Sequence, residues 1–325
     1  MLAKFSYQRT KAITEATAAA SRPNARILAG GTDLLGCLRD GVFPANRLVS
    51  ITGIKELKGI RPLVGGGLRI GALTTLTEIV ENRQIREQYP VLLQAAAVVA
   101  SPQLRNQGTL GGNLCQRPRC WYYRSAAFHC RRKGGDTCFA EAGESQMHAI
   151  LGGNQCFMVH PSDTAAALVA LDAKIAITGP KGPRQMPLAS FFVGPKVTLL
   201  KENVLEPGDV VTEILLNAPQ AGARSRYRKV RERGSFDFAL AGAAIVLVMA
   251  EGKVRTARVV LSGVAPIPWR SAEAEQAIVG KALDAATARA AGAAAVKNAM
   301  PLVENAYKVP LVQGILEETL TALAA

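Results

Sequence analysis

Short apolar strands and short helices alternate along the first 218 residues, and glycine pairs interrupt them. Residues 4–7 read as a strand and 10–20 as a helix that stops at Ser21-Arg22-Pro23. Arg26-Ile27-Leu28-Ala29 is a strand that breaks into Gly30-Gly31-Thr32-Asp33, after which 34–38 restarts as a helix. Residues 47–51 and 68–72 read as further strands, the second by its alternation and preceded by Gly65-Gly66-Gly67. Thr75-x-x-Glu78 spells a capping box opening a helix over 76–82. An alanine-rich apolar helix over 90–100, suited to burial, delivers the chain to a glycine-rich turn at 108–113. Beyond 163 the spacing predicts a helix at 164–173 and a strand at 174–178. A hairpin turn at Gly179-Pro180-Lys181-Gly182, a short helix at 188–192 and a strand at 209–216 follow. Residues 219–223 read as a linker. After it come strands at 225–231, 238–249 and 254–261, then helices at 272–280, 285–297 and 310–323. The class is α+β. A first domain spans 1–218, with subdomains of about 1–55 and 56–218. A smaller α+β domain spans 224–325, its antiparallel sheet carrying helices on one face.

One stretch has no such pattern. Five of the six cysteines lie between residues 100 and 163, and the segment 115–156 is long, irregular and rich in Arg, Gly and Cys. Loops longer than about 15 residues are uncommon in a compact domain unless they are functional. The segment reads as a long exposed insertion ordered by what it binds. Cys120, Cys130, Cys138 and Cys156 form the strongest set. Structural zinc favours tight C-x2-C knuckles, and none occurs. Separated thiolates suit a four-iron cube, with zinc or buried free thiols as the alternatives. Trp121, Tyr122, Tyr123 and Phe128 would screen such a group, and nearby Arg and Lys would offset its thiolates. Cys115 stands beside the glycine turn and Cys37 in a helix, so neither joins the set; His129, His148 and His160 are alternative ligands.

Composition narrows the classes. With 325 residues, 49% hydrophobic and 20% charged, the chain can bury cores for two or three domains. No apolar run reaches the roughly 18–20 residues of a membrane span; the run at 238–250 suits a buried strand. The N-terminus lacks a signal-peptide core, so a cytoplasmic location is expected unless a signal-bearing partner carries the chain out. The cysteines are then not structural disulfides. The net charge of +14 is scattered and aromatics are 5%, which favours a solvated basic surface, or one covered by an acidic partner subunit or an anionic cofactor, over a nucleic-acid site.

Gly30-Gly31 between a strand and a helix start suits an anion, because glycine lets backbone approach and helix N–H groups favour phosphate. It matches neither G-x-G-x-x-G nor a P-loop, and an ordinary turn would look the same. Thr109, Gly111, Gly112 and Asn113 offer backbone N–H and polar side chains to a polar cofactor. No Ser-His-Asp or paired-carboxylate site stands out.

Three motifs in order carry a resemblance. Ala29-Gly30-Gly31-Thr32-Asp33-Leu34, then Gln103-Leu104-Arg105-Asn106 with Gly108-Thr109-Leu110-Gly111-Gly112-Asn113, then Ser162-Asp163 resemble the FAD-binding middle subunit of molybdenum hydroxylases. That family covers xanthine dehydrogenases, aldehyde oxidoreductases and carbon monoxide dehydrogenases. The later Y-R-K-V-R-E-R-G-S-F-D-F-A-L and G-V-A-P-I-P-W-R resemble its C-terminal domain. The resemblance implies a vanillyl-alcohol-oxidase-type FAD-binding domain. Leu28, Ala29, Gly30, Gly31, Thr32, Asp33, Leu34 and Asn113 would hold the pyrophosphate end of FAD. Thr109, Gly111 and Gly112 belong to the second motif, and Ser162-Asp163 would put Asp163 on the adenosine side. Leu215 would lie near the adenine, and residues 236–240, Phe238 among them, near the isoalloxazine. The cysteine insertion resembles that of periplasmic aldehyde oxidoreductases, with the beta subunit of 4-hydroxybenzoyl-CoA reductases next. It implies a [4Fe–4S] cluster on Cys120, Cys130, Cys138 and Cys156. The implied partners are a molybdenum cofactor-binding large subunit, a [2Fe–2S] small subunit and an external electron acceptor. A stand-alone FAD oxidoreductase of the same fold is the rival.

Overall fold

A computed structural model of the chain describes residues 2–324. The first layer is small. Strands β1 (Ser6–Arg9), β2 (Ala25–Leu28) and β3 (Arg47–Ser50) form a parallel sheet in the order β1-β3-β2, connected through α1 (Ile13–Ala20) and α2 (Leu34–Arg39). Val49, Ile51 and Ile54 pack with Ala16 and Ala19 of α1 to give it a core.

The next segment runs β4 (Ile60–Pro62), β5 (Leu68–Gly71), α3 (Leu76–Glu81), α4 (Arg83–Gln88) and α5 (Pro90–Ala97). The capping box is present: Thr75 Oγ1 accepts from the Glu78 N–H and the Glu78 carboxylate accepts from the Thr75 N–H. Then come α6 (Pro102–Gln107) and α7 (Leu110–Leu114). Residues 108–113 are therefore not the open turn the sequence suggests. Thr109 caps α7 by accepting from the Gly112 N–H at 3.2 Å. Gly111 sits so close to β5 that an added Cβ would lie 2.9 Å from the Cβ of Ala72.

Helix α8 (Trp121–Arg124) lies in the insertion. It is followed by α9 (Asp163–Ala170), the hairpin β6 (Lys174–Gly179) and β7 (Gly182–Pro187), and β8 (Val210–Leu216). These strands and β4 and β5 make an antiparallel sheet in the order β4-β5-β8-β6-β7.

The C-terminal unit contains β9 (Ala223–Val230), β10 (Ala241–Ala250), β11 (Lys253–Ser262), β12 (Trp269–Arg270), α10 (Ala272–Ile278), α11 (Ala285–Ala295) and α12 (Lys308–Ala324). Its antiparallel sheet has the order β12-β11-β10-β9. Its own helices cover one face, as expected, and helices α5 and α9 of the first domain cover the other. Ala243, Ile245 and Leu247 face α10, α11 and α12, whereas Ala244 packs into the core shared with α5 and α9. Successive strand residues point to opposite faces, so double burial explains the unbroken apolar run of β10. The sequence placed 238–240 in this strand, but the chain there is a loop, and the strand begins at Ala241.

The insertion is not an exposed loop. Tyr122, Tyr123, Arg132, His148 and Ile150 within it are all buried. Its second half is fixed to the C-terminal unit. The N–H groups of Ile150 and Leu151 both donate to the Val264 carbonyl, Asn305 Nδ2 donates to the His148 carbonyl at 3.1 Å, and the Ser145 N–H donates to the Glu304 carboxylate at 2.6 Å.

Candidate functional site

A cleft of about 1120 Å³ opens within the first domain, with Lys229, Phe236, Asp237 and Phe238 of the C-terminal unit at its edge. Both glycine segments line it, because they meet backbone to backbone: a Cβ on Gly30 would sit 2.0 Å from the Gln107 carbonyl oxygen. Gly31 takes φ +74°, the left-handed region that favours glycine. Of the residues named from the sequence, Ala29, Gly30, Gly31, Thr32, Asp33, Leu34, Thr109, Gly111, Gly112, Asn113, Asp163 and Phe238 line this one cleft.

Three do not. Leu28 packs beside Gly31, where its Cδ1 would lie 3.3 Å from an added Cβ. Ser162 caps α9, accepting from the Ala165 N–H, and donates to Asn113 Oδ1 at 2.5 Å. Leu215 lies in the middle of the sheet, paired with Arg69 of β5 and Lys174 of β6.

Two of the lining carboxylates are already engaged. Asp33 accepts from Arg124 at 2.7 Å and from the Arg117 N–H at 2.7 Å, and pairs with Arg119 at 3.0 Å, which anchors the start of the insertion to the first glycine turn. Asp163 is buried, paired with Lys229 of β9 at 2.8 Å and accepting from the Tyr227 hydroxyl at 2.6 Å. Burial and the Asp163 charge hold the Tyr227 phenol well above its ordinary range.

Cations outnumber these anions. Arg26, Arg117, Arg119, Arg132 and Lys133 all line the cleft. Glu202 takes both Arg117 and Arg132. Arg26 has no carboxylate within ion-pair distance among the described residues, and its Nε is buried without a partner. Its guanidinium stacks 4.9 Å from the Phe43 ring, and that of Arg117 stacks on the same ring at 5.2 Å. Desolvation, then the neighbouring Arg117, pushes the Arg26 pKa down, the direction expected of a cation short of an anion. A deep cleft with backbone-close glycines and unneutralised guanidinium fits a dinucleotide diphosphate. Sequence reasoning missed Arg26, Phe43, Arg117 and Lys229. The available signal was a basic residue just before the Gly30-Gly31 turn.

A second, smaller cavity gathers Cys120, Cys130, Cys138 and Cys156, with His148 beside them. Cys115 faces the wide cleft instead, and Cys37 is buried elsewhere, accepting from Arg124 Nη1 at 2.8 Å. Three of the four sulfurs are met by backbone donors. Backbone N–H groups of Tyr122 and Tyr123 reach Cys120, those of Phe157 and Ala140 reach Cys138, and that of Met158 reaches Cys156. His148 Nε2 lies 3.2 Å from Cys120 Sγ. Burial pushes the Cys120 thiol up to about 12 and the Cys156 thiol up to about 11, so positive charge is needed to hold thiolates here. Among the described residues no three His, Cys, Asp or Glu side chains close around a single ion.

Known proteins resemble the chain over its whole length. The family model described as the FAD binding domain in molybdopterin dehydrogenase matches residues 3–219, and the CO dehydrogenase flavoprotein C-terminal domain matches 225–323. The aldehyde oxidoreductase FAD-binding subunit PaoB of Escherichia coli is 37% identical, covering 99% of this chain and 98% of its own. The carbon monoxide dehydrogenase medium chain of Hydrogenophaga pseudoflava is 29% identical over 90% of this chain and 86% of that one. Among solved structures, the reconstituted CO dehydrogenase from Oligotropha carboxidovorans superposes with a TM-score of 0.80 at 25% identity, covering 100% of this chain and 99% of that one. The cleft, its two glycine segments and these matches agree: the chain belongs to the FAD-binding flavoprotein subunits of the molybdenum hydroxylases, oxidoreductases of the aldehyde, CO and xanthine dehydrogenase type.

Proposed function

We propose that this flavoprotein subunit carries FAD in the cleft and a [4Fe–4S] cluster in the cysteine cavity. It would pass electrons from a partner molybdenum subunit and a [2Fe–2S] subunit to an external acceptor. Aldehyde oxidation by the assembled enzyme is the favoured reaction, by likeness to the subunit PaoB. Bound FAD would supply the conversion between one-electron and two-electron transfer.

The chain's own residues do the holding. Gly30 and Gly31 bring backbone against the diphosphate, with Thr32, Thr109, Gly111, Gly112 and Asn113 around it. Arg26, which has no carboxylate partner, would neutralise its charge. Asp163, locked by Lys229 and Tyr227, fixes the cleft wall. Phe238, with Arg119 stacked 4.7 Å over its ring, provides an apolar face for the ring system. No residue of the cleft is assigned acid or base chemistry.

The observation that carries this reading is the pair of neighbouring cavities. One is large, glycine-lined and basic, and the other gathers four cysteines, three of which receive backbone N–H donors. The test is the absorption spectrum of the purified chain with iron and sulfide analysis, together with recovery of the partners on an affinity-tagged chain. Flavin bands over a broad iron–sulfur absorbance, with four irons per chain, are expected. Flavin without iron or sulfide would remove the cluster. Aldehyde oxidation by the isolated chain with added dye would remove the need for partners.

A further inference from the structure

Two side chains, Tyr123 and Arg132, line both cavities. They form the wall between the cysteine site and the cleft. Arg132 is only 5% exposed. Its Nη2 is spent on Glu202. Its Nε and Nη1 are buried and have no hydrogen-bond partner. Guanidinium donors are seldom left unmade inside a protein. Arg132 borders the cysteine cavity, whose sulfurs are the acceptors proposed for these two groups. Arg117 also binds Glu202, at 3.0 Å, and its guanidinium donates to the Tyr123 hydroxyl at 2.5 Å. Two arginines and one glutamate leave the wall with one net positive charge.

We propose that Arg132 is the direct sulfur-binding cation of the [4Fe–4S] cluster, donating Nε–H and Nη1–H to cluster sulfur and raising the cluster's midpoint potential. The proposal rests on the cluster reading above. The physical reason is that reduction adds a negative charge to an already anionic group in a dry site. A fixed cation and N–H donors there stabilise the reduced form more than the oxidised one. Glu202 sets how much of that charge is felt, since it shares the guanidinium.

The test uses the full chain in its purified complex. Iron and sulfide are counted, and the cluster and flavin are titrated by EPR and absorbance in the wild type, Arg132→Met, Arg132→Lys and Glu202→Gln. Arg132→Met should keep its iron, while its cluster loses about tenfold in the reduced-to-oxidised ratio at the wild-type midpoint. That is a fall of about 59 mV for one electron. Arg132→Lys should fall between, and Glu202→Gln should shift the cluster upward. Intact iron with an unmoved cluster potential in Arg132→Met overturns the proposal. If Arg132→Met loses its iron or fails to fold, Glu202→Gln decides: an upward shift supports the proposal and no shift overturns it. Wild-type protein without iron and sulfide would instead overturn the cluster reading, a distinguishable failure that takes this proposal with it.

Discussion

Replacing Lys229 by Met tests the seam where the C-terminal sheet closes the cleft. The ammonium and the Asp163 carboxylate are 2% and 4% exposed and lie 2.8 Å apart. Methionine keeps most of the length and removes the charge, leaving Asp163 with the Tyr227 hydroxyl as its remaining side-chain partner. Breaking a buried pair from one side costs about 3–5 kcal/mol, because the other charge stays desolvated. Removing both charges, in Lys229→Met with Asp163→Asn, should recover most of that loss. The amide can still accept from Tyr227. A residual deficit of about 1 kcal/mol is expected because Asp163 sits in the first turn of α9, where a carboxylate favours the helix dipole. Chemical denaturation followed by the fluorescence of the two tryptophans, with flavin release recorded in parallel, gives the three differences. If the double variant loses the sum of the two single losses, the groups are not coupled and the reasoning fails.

Arg26→Met should weaken FAD binding by about tenfold without lowering apoprotein stability, since this guanidinium answers to no carboxylate; an unchanged FAD titration contradicts its role. Cys→Ser at Cys120, Cys130, Cys138 or Cys156 should each cost iron, sulfide or folded yield. Cys115→Ser should cost neither, because that thiol faces the other cavity. Burial lowers the pKa of Lys308 to about 7 from an ordinary 10.5, so the unfolded chain binds more protons between those values. The stability of the wild type relative to Lys308→Met should therefore rise from pH 7 to pH 10, with the penalty complete below about pH 7; a constant gap across pH would show that Lys308 does not titrate there. Gly31→Val should release flavin by steric strain at φ +74°, read by fluorescence after denaturation, whereas full occupancy would remove this turn from the site.

Features written in neighbouring residues were legible. The capping box of Thr75 and Glu78 and the hairpin pairing Gly179 with Gly182 need only local spacing. The cysteine set and the glycine motifs stood out because their residue types are unusual in such density. The rest depends on partners far along the chain. That Asp163 is paired depends on a lysine 66 residues away, and that Asp33 is paired depends on Arg124, 91 residues on. Residues 238–240 share the apolar composition of β10. Phe236 just before them takes φ +71° and donates its N–H to Ala100, so the chain leaves the sheet and Phe238 enters the cleft. Periodicity does not carry that information.

The attachment of the insertion to the C-terminal unit sets a timetable for biogenesis. Ser145 waits for Glu304, His148 for Asn305 and Gln146 for Tyr307, separations of 159, 157 and 161 residues. During synthesis the N-terminal domain emerges first. The four cysteines leave the ribosome together, long before the segment that pins His148 against Cys120. Contacts so distant in sequence form late, after their loop-closure entropy has been met. A chain truncated before residue 300 therefore keeps every cysteine and both glycine motifs but lacks the clamp that closes the cysteine pocket. The cysteine pocket is in this way closed only after residues 304–307 have been made, and an incomplete chain leaves its thiols open to oxidation.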